Sequence, residues 1–450
     1  MARLALEHAM PAGWVDEVFE ADRQKPYARE LLFSTVVELM TLVCLGLRPS
    51  LHAAARQMAA LPVSLAALYD KVNHTEPGVL RALIRGSAER LAPLMAAVGH
   101  GGPAGLPGWR LRVLDGNHLP ASEQRLAPLR GHRGAALPGQ SLVVYDPDMG
   151  LAVDLVACED AHASERAAVA PLLEGAGPGE LWIADRHFCT GAILGGWQET
   201  GASFIVREHG RHPCLVRQGG WQGCGRTETG EVREQEIAVA GSQALWRRIE
   251  LALDQPTEDG DATIRIWSNL PAAVGAGRIA ELYRTRWQIE GMFGRRESVL
   301  HSEIASLGHP RAALLGFAVS VLAYNVLALL GRCVEQAHRQ HEPPPEVSTF
   351  PPGPAGQGQL RRSGAAAKVR GSYEGLLIAV PPEHWPPGHG ADPERLAQRL
   401  LALARHINPR QVATSKRGPN TLKPKGCVDG KTARAHVATA RVLAYAKTRP

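Results

Sequence analysis

Residues 109–119, WRLRVLDGNHL, follow a Gly/Pro-rich boundary, GGPAGLPG at 101–108, and mark the point where the apolar period changes from helical to alternating. On the amino-terminal side, RELLFSTVVELMTLVCLGL (29–47), SLHAAARQMAAL (50–61), SLAALYDKVNHT (64–75) and GVLRALIRGSAERLAPLMAAV (78–98) repeat apolar residues at three-to-four spacing and predict helices. On the carboxyl side, QSLVVYDPDMG (140–150) and LAVDLVACED (151–160) complete an antiparallel meander with the opening strand. SERAAVAPLLEGA (164–176) then reads as helix, ELWIADRHF (180–188) as strand, GAILGGWQETG (191–201) as helix and SFIVREHG (203–210) as strand. Three antiparallel strands followed by alternating helix and strand predict a mixed α/β sheet behind an α-helical amino-terminal domain.

The alternation stops at about 211. Residues 211–262 read as a β-rich insertion, after which ATIRIWSNL (262–270) resumes a buried strand before a long helix from about 275. EPPPEVSTFPPGPAGQGQ (342–359) is linker-like. The expected organisation is therefore a helical domain over 1–105, a core in two parts (106–210 and 263–342) around the insertion, a Pro/Gly-rich linker region over 343–398 and a basic segment over 399–450. The pair of helices in RPSLHAAARQMAALPVSLAALYDKVNHT suits helix-turn-helix geometry, as do many helical bundles.

Composition bounds the function class. The chain has 450 residues, 45% of them hydrophobic and 5% aromatic, which fits a globular protein. Its seven cysteines, at 44, 158, 189, 214, 224, 333 and 427, form no CxxC pair, so reduced thiols are expected. Cys214 and Cys224 flank a Gly-rich turn and make at most half a metal site. The amino terminus lacks a secretory pattern, which predicts a cytoplasmic protein. The uncharged stretch AALLGFAVSVLAYNVLALLG (312–331) meets the length of a membrane span, yet Ser320, Tyr324 and Asn325 at its middle predict a buried core helix and no membrane.

Net charge is +6, and it is unevenly spread. Residues 401–450 hold eleven Lys or Arg against the single acid Asp429, with Lys416, Arg417, Lys423 and Lys425 in SKRGPNTLKPKGCVDGKTARAH. Such a segment either binds a polyanion through counterion release or is a solvated tail.

Three carboxylates stand out by position. Asp115 closes LRVLDGN, Asp185 closes LWIADRHF, and Glu290 lies in YRTRWQIEGMF (283–293), which reads as one helix rich in arginine. Carboxylates at strand ends face the rim where α/β sites are built. Singly, each is an ordinary turn or surface residue. Together, convergent oxygens suit two hard divalent cations that activate water or a 3′ hydroxyl for attack on a phosphodiester.

These stretches resemble the DDE transposases of bacterial insertion sequences, specifically the IS-four family. The family signature of Tyr, two residues, Arg, three residues, Glu, six residues and Lys is met by Tyr283, Arg286 and Glu290, whereas Glu297 replaces the lysine. DGN at 115 is similar to the family's Asp-Gly-Thr, and ADRHF at 184 to its Asp-Arg-Gly-Phe, with His187 in place of glycine. The resemblance implies an RNase H-like fold carrying Asp115, Asp185 and Glu290 as ligands of two Mg²⁺ ions, with Mn²⁺ as a substitute. It also implies phosphate contacts from Tyr283, Arg286, Arg295 and Arg296. In the insertion, it points to an aromatic such as Trp246 or Trp221 for an unstacked base during hairpin formation. The implied partners are terminal inverted repeats, target DNA and a second copy of the chain. A DNA-binding protein without catalysis, favoured by Glu297, and a structure-selective nuclease remain alternatives.

Overall fold

The computed structural model describes residues 1–24, 30–58, 61–99, 105–132, 134–210, 213–240, 244–257, 260–300, 304, 306–339, 392–407 and 436–448, with only the backbone at 294–299. Six helices come first: α1 (Ala2–Ala9), α2 (Ala12–Asp22), α3 (Phe33–Cys44), α4 (Leu51–Gln57), α5 (Leu65–His74) and α6 (Pro77–Val98). Ser50 and Ser64 cap α4 and α5 by accepting from the amides of Ala53 and Ala67, as their place before the apolar runs predicts. Lys71 of α5 is buried, its ammonium bonded to the Leu31 carbonyl, so it faces the core rather than a ligand.

The central sheet begins with β1 (Arg110–His118), β3 (Gln140–Asp146) and β4 (Leu151–Cys158), an antiparallel meander interrupted by the short β2 (Ala135–Leu137). After α7 (Ala170–Glu174) come β5 (Glu180–Ala184), α8 (Gly191–Glu199) and β6 (Ser203–Arg207), with β5 parallel to both β1 and β6. Next are β7 (Leu215–Gln218), β8 (Gln222–Thr227), β9 (Gly230–Val239), β10 (Leu245–Leu253) and β11 (Thr263–Ser268). The spatial order is β4-β3-β1-β5-β6-β11-β10-β9-β7, with β8 also on β9.

Among the described residues of 211–262, β7 to β10 extend this same sheet, with β10 paired to β11 over Arg247–Ala252. The reason is the two-faced pattern of β10. Ile249 and Leu251 enter the core on one side of the sheet, and Trp246 enters the core on the other.

Alternation of that kind runs through the sheet. Leu111, Val113, Leu181, Ile183 and Ile205 face the core shared with α3, α6 and α11, whereas Leu114, Trp182, Ala184, Phe204 and Val206 face α7 and α8. Strands covered on both faces read as near-continuous apolar runs.

The helical chain after β11 is broken rather than single. Helix α9 (Ala276–Tyr283) passes through a 3-10 turn, Arg284–Arg286, into α10 (Trp287–Val299). Thr285 Oγ1 donates to the Leu282 carbonyl at 2.7 Å, and a side chain bonding back in this way bends a helix. Helix α11 (Pro310–Arg339) is long and apolar enough to cross a membrane, yet its most apolar window is 94% buried in the protein.

The expected linker boundary at 398 is corrected by α12 (Pro393–Ala404), which crosses it and packs on α6 and α11. Its Leu396, Ala397, Leu400 and Ala404 form one buried stripe. Farther on, β12 (His436–Ala438) pairs in parallel with β2 and leads into α13 (Thr439–Thr448), where Arg441 is bonded to Asp160 at 2.8 Å.

Asn325 of α11 decides how the edge of the sheet is covered. Fully buried, it accepts from the Ala152 amide and donates to the Ala152 carbonyl, each at 2.8 Å. The outward backbone groups of β4 thus find an amide that mimics a strand. Asn325→Leu leaves both without a partner, and an unmet buried polar group costs about 1–3 kcal/mol. A loss of about 2–5 kcal/mol by urea denaturation is expected; a loss below about 1 kcal/mol would show that β4 finds other partners.

Candidate active site

Asp115 and Asp185 are neighbours because of strand register. Strands β1 and β5 run in parallel with Leu114 opposite Ala184, so the following residues emerge side by side from strands about 4.8 Å apart. Asp115 shares the odd-numbered face of β1 with the core residue Val113, and Asp185 follows the core residue Ile183 by two positions, just past the end of β5. Asp115 does not close its strand: β1 continues to His118 on β3, whereas β5 stops at Ala184. The Asp-Gly pair is therefore within a strand and forms no turn.

Asp185 caps the 3-10 turn Arg186–Phe188, its Oδ1 accepting from the His187 amide at 2.9 Å. Asp115 Oδ1 accepts from the Gly116 amide at 3.0 Å. Each acid is thereby oriented by a backbone N–H close by in sequence.

The third acid arrives on α10, which packs on β1. Arg286 joins it to the first: Nη2 lies 2.6 Å from Glu290 Oε1, and Nη1 lies 3.6 Å from Asp115 Oδ2. Tyr283 is buried, and the charge of the nearby Arg286 guanidinium opposes the rise that burial imposes on its phenol. The broken helix thus still brings Tyr283, Arg286 and Glu290 together through three- and four-residue spacing. In this arrangement Arg286 and Tyr283 are turned toward the acids.

Burial pushes the Asp115 carboxyl up to about 7; Arg286 opposes that shift, while Asp185 and Glu290 add to it. Burial also raises the Tyr283 phenol. The neighbouring Cys189 thiol is pushed up to about 12 by burial, so it supplies no thiolate nucleophile.

Among the described residues, no three His, Cys, Asp or Glu side chains are gathered closely enough to hold an ion. Asp115 and Asp185 nevertheless fit a hard divalent cation. Both offer carboxylate oxygens, and a cation relieves the strain of ionising Asp115 beside a second acid. Glu290, its side chain 48% exposed, is at present bonded to Arg286 instead.

Trp246 is placed in the core, 1% exposed, with its indole N–H donating to Gln198 and its ring edge-on to Phe204, so it offers no face to a base. Trp221 is partly exposed and already covered by the Arg233 guanidinium, 4.6 Å from the ring centre. Sequence reasoning missed Trp287, which is 41% exposed directly after Arg286. Its signal was its place inside YRTRWQIEGMF. Sequence reasoning also missed Glu165, whose carboxylate stands near His118 and His187 at the same rim. The side chains of Arg295, Arg296 and Glu297 lie outside the described residues, as do Lys416, Arg417, Lys423 and Lys425.

An unfolded chain ionises Asp115 near 4 and the folded chain near 7, so the native state holds an extra proton between these values and loses stability as pH rises through them. Asp115→Asn removes that loss. With a chelator present, the variant's Tm is expected to exceed that of the wild type near pH 8, with the excess shrinking as pH falls and vanishing near pH 4. A difference in Tm independent of pH would contradict the buried ionisation.

Residues 110–326 match the family model of the transposase DDE domain, from the first residue of β1 to the residue after Asn325. No match was found among curated proteins.

Proposed function

We propose that the chain is a metal-dependent DDE transposase of the IS-four type, which excises an insertion sequence and joins it to new DNA. One observation carries this reading: Asp115 and Asp185 each directly follow a member of the register pair Leu114 and Ala184, inside the segment similar to the transposase DDE domain. Asp115 and Asp185 would hold Mg²⁺, with Mn²⁺ as a substitute, and Glu290 would complete the set on leaving Arg286. Bound divalent cations would activate the attacking water or 3′ hydroxyl and stabilise the leaving oxygen of the phosphodiester.

The chain's own groups account for the rest. Arg286, released from Glu290, presents a planar fork suited to two phosphate oxygens. Tyr283, buried beside it, would face the same phosphate. Trp287, exposed beside it, is the aromatic available to stack an unpaired base if excision proceeds through hairpin ends. The DNA partners are terminal inverted repeats and a target, and the synaptic unit is a dimer located in the cytoplasm. Helices α1–α6 and the basic segment supply further DNA contacts.

A second reading is favoured by Glu297, an acid where the family signature carries lysine. In it the chain occupies element ends without cutting, because like charge weakens the grip on phosphate.

Incubating the protein with Mg²⁺ or Mn²⁺ and a labelled duplex carrying the repeats that flank its gene tests both. Cutting at the repeat boundary is expected, with Asp185→Asn reducing it at least a thousandfold while end binding stays within about twofold. Undiminished cutting by that variant removes the assignment of Asp185. Binding without cutting in the wild type, reversed by Glu297→Lys, marks an impaired but intact site; no cutting in either form supports the second reading.

A further inference from the structure

The 3-10 turn Glu165–Ala168 reaches the rim of the acid pair with two consecutive charged side chains that the proposed chemistry does not use. Glu165, 18% exposed, places Oε1 3.6 Å from His118 Nδ1 and Oε2 3.7 Å from His187 Nε2. It also lies against Gly116 so closely that a Cβ there would stand 2.2 Å from Oε1. Arg166 Nε donates to the His187 carbonyl at 2.5 Å. One turn therefore touches both residues whose amides orient the acids: Gly116, which donates to Asp115, and His187, which donates to Asp185.

The sheet does not provide this tie itself. The pairing of β1 with β5 stops at Leu114 and Ala184, one residue before each acid. Beyond that point no ladder bond fixes the distance between the two carboxylates. The turn at 165–168 lies where the ladder ends, with Glu165 against Gly116 and the His187 ring and Arg166 on the His187 carbonyl.

We propose that Glu165 and Arg166 are positioning residues, a clasp across the ends of β1 and β5 that sets the spacing of Asp115 and Asp185 for a divalent cation. This rests on the reading of those two acids as metal-holding. The same contact bears on position 116: its φ is not positive, and a Cβ there would displace the Glu165 carboxylate. Neighbouring shells of this kind alter metal affinity by about 10–100-fold.

The test measures Mn²⁺ uptake by electron paramagnetic resonance, hydrogen exchange of peptides covering 115–118 and 185–189, and Tm, all on the full chain. Glu165→Ala is expected to weaken Mn²⁺ about tenfold and to speed exchange in both segments with little change in Tm. Glu165→Gln, which keeps the packing on Gly116, recovers part of the loss. Gly116→Ala, which pushes Glu165 away, reproduces the loss without touching residue 165. Arg166→Lys retains a donor for His187 and stays closer to wild type than Arg166→Gln. Wild-type affinity and exchange in Glu165→Ala would overturn the clasp, as would a large fall in Tm that Glu165→Gln does not reverse. If the wild type takes up Mn²⁺ no better than Asp185→Asn, the metal-holding reading falls. Exchange then decides the tie alone: faster in both segments keeps it, unchanged removes it.

Discussion

Burial of the central strands on both faces is the constraint on which the molecule depends. Leu111 and Val113 point into one core and Leu114 into the other, and β5 and β6 repeat the division. A strand with two occupied faces cannot slip by one residue without exchanging every contact. Such a slip in β1 or β5 would send its aspartate to the opposite side of the sheet. The register that keeps Trp182 against Trp197 is therefore the same register that sets Asp115 next to Asp185. Hydrophobic packing does the positioning, and the carboxylates inherit it.

Against that rigid pair, the third acid is held by a more adjustable device. Arg286 touches Asp115 and Glu290 and is backed by Tyr283, so the guanidinium stands where a cation would relieve the same acids. Its Nε is buried without a hydrogen-bond partner, which costs free energy that a more complete set of contacts would recover. The arginine-rich helix thus has an internal use for its charge before any phosphate arrives.

Legibility in the sequence followed the physical range of each signal. Period-two apolar runs disclosed β1, β3, β4, β5 and β6, and Asp115 and Asp185 stood out because each follows such a run. The buried reading of α11 rested on Ser320, Tyr324 and Asn325, and no local pattern reveals the partner that Asn325 finds on β4. The break at Arg284–Arg286 was hidden because a back-bonding threonine leaves no mark on apolar spacing. The run 164–176 read as one helix, yet it forms a 3-10 turn and the short α7, with Pro171 in the first turn of α7. That error concealed Glu165, whose role depends on contacts with residues about fifty positions earlier and twenty later. A tryptophan on a strand looks alike whether it faces a core or a groove, and only its place opposite Ile237 of β9 and against Phe204 puts Trp246 inside.

The short pairing of β12 with β2 ties the carboxyl-terminal end of the described chain back to the stretch between the first strands of the sheet. Helix α13 follows directly, and its Arg441 meets Asp160 just past the end of β4. Removing the residues after 435 would therefore take a partner strand from β2 and an ion-pair partner from Asp160, so a carboxyl-terminal truncation is felt beside the opening meander and not at the chain end alone.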